Sequence, residues 1–265
     1  MRALSDQKDN ILDWIILFFA GLGAGALNAL AGGGSFVIFP ALMLVGVPPV
    51  AANATNTFAC LPGYASGAIG FYDAIMANRQ RLVLYSIIAL VAGYLGAEAL
   101  LLVSDAQFST IVPWLMLFAV LAFSFGGQLN SYLVSRSSGS KRAARAGAIG
   151  TAVLLTAICF YGGFFNAGLG IILLAFLVLA GYKDINGMNG IKLWLSTLVA
   201  LTAVIRLAIG GSIYWLEGSV ALVGATIGGY LAARLSYLIP SIYVRRFVII
   251  YALGLTIYFF WKVYG

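Results

Sequence analysis

Two short stretches place ligand-binding residue types inside an otherwise apolar chain. The first, GALNALAGGGS, holds Asn28, Gly32, Gly33, Gly34 and Ser35, and the second, GFFNAGLG, holds Asn166, Gly168 and Gly170. Consecutive glycines let a helix open and let a ligand approach main-chain amides. If a helix restarts at Ser35, its first amides lack carbonyl partners and its end carries roughly half a positive charge; residues 168–170 open a second such end. Two helix N-termini facing one cavity suit an oxyanion. Asn28, Thr55, Asn56, Asn166 and Asn189 add neutral donors, which orient an anion without the desolvation cost of a buried cation. The reading therefore places residues 32–34 near mid-membrane, with their amides turned to a shared cavity.

Each of these residues also has a plainer use. Glycines in membrane helices permit close packing, and Gly21 with Gly25, Gly63 with Gly67 and Gly224 with Gly228 have the small-xxx-small spacing for it. An asparagine can simply bond across helices. Lys192 lies in the first turn of its expected span, where it either contacts the ligand or snorkels to the surface. Glu98 and Arg206 fall near the external ends of their helices, where they can pair with each other and act in gating or coupling. Glu98 is the one carboxylate well inside an apolar segment. Tyr161 and Trp194 read as packing or interfacial anchors.

The elements that must position these residues are membrane helices. A chain of 265 residues that is 62% hydrophobic and 9% charged lies far outside soluble composition, which makes it an all-α polytopic membrane protein. Residues 14–31 form an apolar run of about 27 Å as helix, whereas 35–46 span about 18 Å and cannot cross alone. Full spans follow near 49–72, 82–103 and 111–134, then a basic linker, 135–146. The second half repeats the plan: a helix near 147–166, a short run ending at Gly181, and spans near 188–210, 215–235 and 243–264. Alignment of the halves pairs Asn28 with Asn166, and Asn53 and Asn56 with Asn189 and Lys192. The expected organisation is a first transmembrane repeat (1–134), a cytoplasmic linker (135–146) and a second repeat (147–265), forming one integral membrane domain. Arg79, Arg81, the linker, Lys183, Arg234, Arg245 and Arg246 mark cytoplasmic loops; Asp105, Glu217 and the acidic N-terminal segment mark the external side. Each half then has an even number of passes from its hairpin plus three spans, so the two repeats are inverted, a layout that puts substrate near the pseudo-two-fold axis.

Several classes are disfavoured. The chain has no histidine, which removes His-based triads, His zinc sites and the usual proton shuttle, so neither an enzyme nor a metal site is expected. No basic stretch is interleaved with stacking aromatics in a polar setting, so nucleic acid is not an expected partner. Cys60 and Cys159 lie in apolar segments and read as packing residues. No cleavable signal can be separated from the first helix, which is expected to be the start of the mature chain.

The stretch GALNALAGGGSFVIFPALMLVGVPPVAANATN resembles the sulfite exporter TauE/SafE family of membrane permeases through Gly32 to Gly34, Pro40, Leu42, Gly46, Pro48, Ala52 and Thr55. The specific letters cover about 35 residues, while the layout covers nearly the whole chain. The resemblance implies transport of sulfite or organosulfonates across the bacterial inner membrane, with a small anion and the lipid bilayer as partners, no cofactor, and room for a homo-oligomer. The second half departs from the pattern: Ile171 and Ile172 follow Gly170, Ile191 stands opposite Thr55 and Lys192 opposite Asn56, so the two half-sites differ chemically and the second is more cationic. A permease for another small anion, a non-transporting scaffold subunit and an intramembrane enzyme are the competing readings.

Overall fold

The computed structural model describes residues 2–30, 33–134, 141–235 and 241–265. Their α-helices are α1 (Arg2–Leu30), α2 (Ser35–Leu44), α3 (Pro49–Gly70), α4 (Tyr72–Ala77), α5 (Leu82–Leu101), α6 (Asp105–Val134), α7 (Lys141–Phe164), α8 (Leu169–Leu179), α9 (Ile185–Ile209), α10 (Trp215–Leu235) and α11 (Ser241–Tyr264), with no strand among the described residues. Among the described residues four stretches are long and apolar enough to cross a membrane, within α1, α5 (with the turn before it), α6 and α9. The short helices α2 and α8, with 10 and 11 residues, are about 15–17 Å long and span half of a hydrocarbon core.

Local chemistry sets the helix ends. Both short helices close on a left-handed glycine: Val47 N donates to Leu42 O and Gly46 N to Met43 O, and Tyr182 N donates to Leu177 O and Gly181 N to Val178 O. Gly46 and Gly181 have φ of 88° and 92°, which a side chain would disfavour. Pro48 and Pro49 then start α3, where a missing N–H costs nothing. Three boundaries differ from expectation. α6 begins at Asp105 rather than 111, because Ser104 and Gln107 form a reciprocal cap: Gln107 Oε1 accepts from Ser104 N, and Ser104 Oγ accepts from Gln107 N. α9 begins at Ile185 rather than 188, because the Asp184 carboxylate accepts from Asn186 N and Gly187 N. α7 begins at Lys141, so the second part of the basic linker is helical; residues 135–140 lie outside the described residues.

The first long helix of each half packs on the third long helix of the other half. α1 lies along α10 and α5 along α7, with α3 crossing α9 between them and α6 beside α11. Glycine makes the first two contacts possible. A Cβ on Gly25 would overlap the Ala225 carbonyl, and one on Gly163 the Gly93 carbonyl; a Cβ on Gly228 would overlap Leu22 O, and one on Gly96 would overlap Phe160 O. The backbones of these helices touch, so van der Waals contact replaces the hydrophobic drive that lipid does not supply. Gly21 and Gly224 join the same seam, as their spacing predicts. Gly67 meets Leu193, while Gly63 meets nothing within 4 Å and is not a packing glycine.

Loops expected on one face are found together. Val50 N donates to the Asp105 carboxylate, Tyr214 N donates to Thr55, and Tyr264 bonds Trp114 and Thr110, all at the expected external side. Arg81 reaches Ala180 O, and Asn78 lies against Gly187, on the other.

Candidate anion site at the two helix breaks

The first break is closed by its own asparagine. Asn28, in the last turn of α1, turns its side-chain Oδ1 back to accept from Gly33 N at 3.2 Å and Gly34 N at 2.8 Å. Gly33 takes φ of 114° to allow this, and a Cβ on Gly34 would collide with the Asn28 amide. The expectation that these amides face a cavity is therefore corrected for Gly33 and Gly34: an orphan donor in a low-dielectric setting takes the nearest acceptor, and Asn28 supplies it. Gly32 lies outside the described residues.

Polar groups nevertheless gather just beyond this cap. On α3, Asn56, Cys60 and Tyr64 follow at four-residue steps and so share one helix face. The Cys60 thiol lies 3.7 Å from Ser35 Oγ and 4.0 Å from Asn28 Nδ2, and it can donate to Asn56 Oδ1 at 3.7 Å. The Tyr64 hydroxyl faces Ser35, Cys60 and Asn166. Ser35, Asn56, Cys60 and Asn166 are 2%, 0%, 2% and 2% exposed.

The second break is built differently. The main-chain carbonyl of Asn166, not its side chain, accepts from Leu169 N at 3.3 Å, and Gly168 turns the chain with φ of 80°. The Tyr161 hydroxyl donates to Ala167 O at 2.9 Å and braces the turn. Asn166 is thus released from capping, and both its side-chain atoms are buried without a partner, as is Asn56 Nδ2. Asn53 Nδ2 donates to Phe164 O at 2.8 Å, but its side-chain Oδ1 is unpaired, and so is the buried Ser196 hydroxyl. A buried amide left unpaired costs about 1–3 kcal/mol, so the Asn166 side chain and Asn56 Nδ2 mark a place built for something else to bond.

The remaining expected residues divide. Gly170 lies against the Lys192 stem, with 3.6 Å between a built Cβ and Lys192 Cδ, and Lys192 Nζ donates to Asn189 Oδ1 at 3.2 Å. With α9 starting at Ile185, Lys192 stands two turns inside the helix rather than in its first. Thr55 is not part of the cluster; its hydroxyl holds Tyr214 N at the start of α10. Glu98 and Arg206 form a two-pronged ion pair joining α5 to α9. Sequence reasoning missed Cys60 and Tyr64 as members of the cluster and Ser196 as a buried orphan. Their signal was spacing: Cys60 follows Asn56, and Ser196 follows Lys192, by the same single helical turn.

The donors here are hydroxyl, thiol and carboxamide, beside the N-terminal end of α2. Such a set can surround an oxyanion and release it, since no member carries a full charge.

A family model described as "Sulfite exporter TauE/SafE" matches residues 17–259. Among curated proteins, the chain is 27% identical over 243 residues to a "Probable membrane transporter protein" of Haemophilus influenzae, covering 91% of this chain and 92% of that one. It is 28% identical over 222 residues to "Probable membrane transporter protein YfcA" of Escherichia coli K12, covering 83% and 79%. It is 24% identical over 242 residues to "Probable membrane transporter protein ORF9" of a Sinorhizobium species, covering 91% and 90%. No solved structure matches the chain. With the helix breaks, the cross-packed halves and a family match over nearly its whole length, the chain belongs to the sulfite exporter TauE/SafE family.

Proposed function

We propose that this membrane protein is a secondary transporter, working as an exporter, that moves a small sulfur-containing anion such as sulfite or an organosulfonate across the bacterial inner membrane. The observation that carries the proposal is the buried cluster at the two breaks, where the Asn166 side chain and Asn56 Nδ2 have no partners. An oxyanion there would accept from Asn56, Asn166, Ser35, Cys60 and Tyr64. Its several oxygens would pair with the Asn56 and Asn166 Nδ2 donors.

Alternating access follows from two halves of opposite orientation rocking about this site. The matched glycine contacts support the inverted repeat. Gly25 stands to Ala225 as Gly163 stands to Gly93, and Gly228 to Leu22 as Gly96 to Phe160. Parity of the spans and the side on which the basic residues are expected also support the inversion. The family's description supports the substrate class, and the cluster's neutral donors fit a headgroup bearing its own charge.

Proteoliposomes test the proposal. Purified protein should move at least one of sulfite, thiosulfate, taurine and sulfoacetate under an imposed proton or sodium gradient, and Asn166→Ala should reduce that flux at least about tenfold, equivalent to about 1.4 kcal/mol. Absence of flux for all four substrates in both gradients would remove the substrate assignment.

A further inference from the structure

The walls around the cluster are neutral. No charged residue occurs in α2, α3 or α8, and α9 contributes Lys192 and Arg206. Arg206 is held by Glu98 near the helix ends. Lys192 is different: its ammonium donates to the neutral Asn189 amide and has no carboxylate partner among the described residues, while its stem lies on Gly170 at the second break. Two deficits thus occur at the second break: the buried Asn166 Nδ2 donor lacks an acceptor, and the half-buried Lys192 ammonium lacks an anion among the described residues. One singly charged oxyanion would answer both.

We propose that the site selects its ligand by charge: it takes an oxyanion bearing one negative charge and discriminates against the same headgroup on a dianion. This rests on the reading of the cluster as the transporter's substrate site. A second negative charge would be buried with only carboxamides, hydroxyls and a thiol around it, and neutral donors do not compensate a full charge in a low-dielectric interior. Lys192 supplies the single countercharge. Its counterpart in the first half is Asn56, so the duplicated position carries one cation where symmetry would have supplied two or none.

The test uses the full chain in detergent and three fixed-charge ligands at one pH: ethanesulfonate, ethane-1,2-disulfonate and 2-(methylsulfonyl)ethanesulfonate, the last nearly matching the disulfonate in size with one charge fewer. Thermal stabilisation gives the half-saturating concentration of each. Both monosulfonates should saturate at concentrations at least about tenfold lower than the disulfonate. Lys192→Gln should raise the half-saturating concentration of ethanesulfonate by about tenfold or more while leaving the unliganded melting temperature near that of the parent. Equal binding of the disulfonate and its size-matched partner would overturn the charge rule alone, and so would an unchanged ethanesulfonate affinity in Lys192→Gln. If none of the three sulfonates stabilises the chain, the substrate-site reading fails and takes the charge rule with it.

Discussion

Asn28 and Asn166 are the paired asparagines of the two breaks, yet truncating them should have opposite consequences. Asn28→Ala removes the acceptor of two amides, Gly33 N and Gly34 N. A typical intramolecular hydrogen bond contributes about 1 kcal/mol net, and the two amides would be stranded where water is scarce, so the cost should be about 2 kcal/mol or more. For a chain of this size that corresponds to a fall in melting temperature of roughly 4–8 °C. Asn166→Ala removes two buried polar atoms that have no partner, so it deletes an unfavourable term and leaves a void of the same size. Because side-chain volume is lost equally at both sites, the difference between the variants isolates hydrogen bonding. The assay is melting by intrinsic fluorescence in detergent, with and without a sulfonate. Asn28→Ala should melt several degrees below the parent. Asn166→Ala should melt at or above the parent when unliganded and lose the ligand-induced shift. If Asn166→Ala were destabilised as much as Asn28→Ala, its side chain would be structural and the reasoning from unpaired donors would be wrong.

Other outcomes follow from the same contacts. Gly228→Leu should prevent α1 from docking on α10 and abolish folded, monodisperse protein in size-exclusion chromatography, whereas Gly63→Ala, with open space around it, should be neutral or gain about 0.5–1 kcal/mol in thermal unfolding through helix propensity. Thr55→Ala should cost about 1 kcal/mol in the same measurement, through loss of the bond to Tyr214 N, and leave ligand affinity unchanged. Glu98→Gln and Arg206→Gln should each change transport rate, and the charge-swapped double variant Glu98→Arg with Arg206→Glu should recover part of the loss; no recovery would show that the pair does not act as a unit.

Much of the architecture was legible because it is written in hydrophobic length and glycine position. The runs 35–46 and up to Gly181 were too short to cross, and they are the half-length helices α2 and α8. The pairing of Asn28 with Asn166 came from adjacent letters, and both residues do stand at helix breaks. Their roles were not legible, because whether an asparagine caps a neighbouring amide depends on how the intervening turn folds. At the first break the turn brings Gly33 N and Gly34 N to the side chain; at the second the main-chain carbonyl of Asn166 arrives first. Cys60 was read as packing from its apolar surroundings, although its four-residue step from Asn56 placed it on the polar face. The early start of α6 was available in Ser104 and Gln107, a capping pair hidden because hydrophobicity rises only later, near Ile111. Residue type alone makes Thr55 a candidate donor like Asn56, but adjacent helical residues point about 100° apart, and the Thr55 hydroxyl holds Tyr214 N instead.

The contact between α1 and α10 also constrains how the protein comes to be made. α1 precedes α10 by most of the two halves, and its glycine face fits the α10 backbone so closely that no side chain can stand between them. Until α10 is made, α1 must therefore rest in lipid with a grooved, unfilled surface, held by its apolar length alone, and the first half cannot reach its final packing. Assembly is consequently a closing step that waits for α10, and variants that weaken the seam should leave an inserted but unclosed chain exposed to membrane proteases.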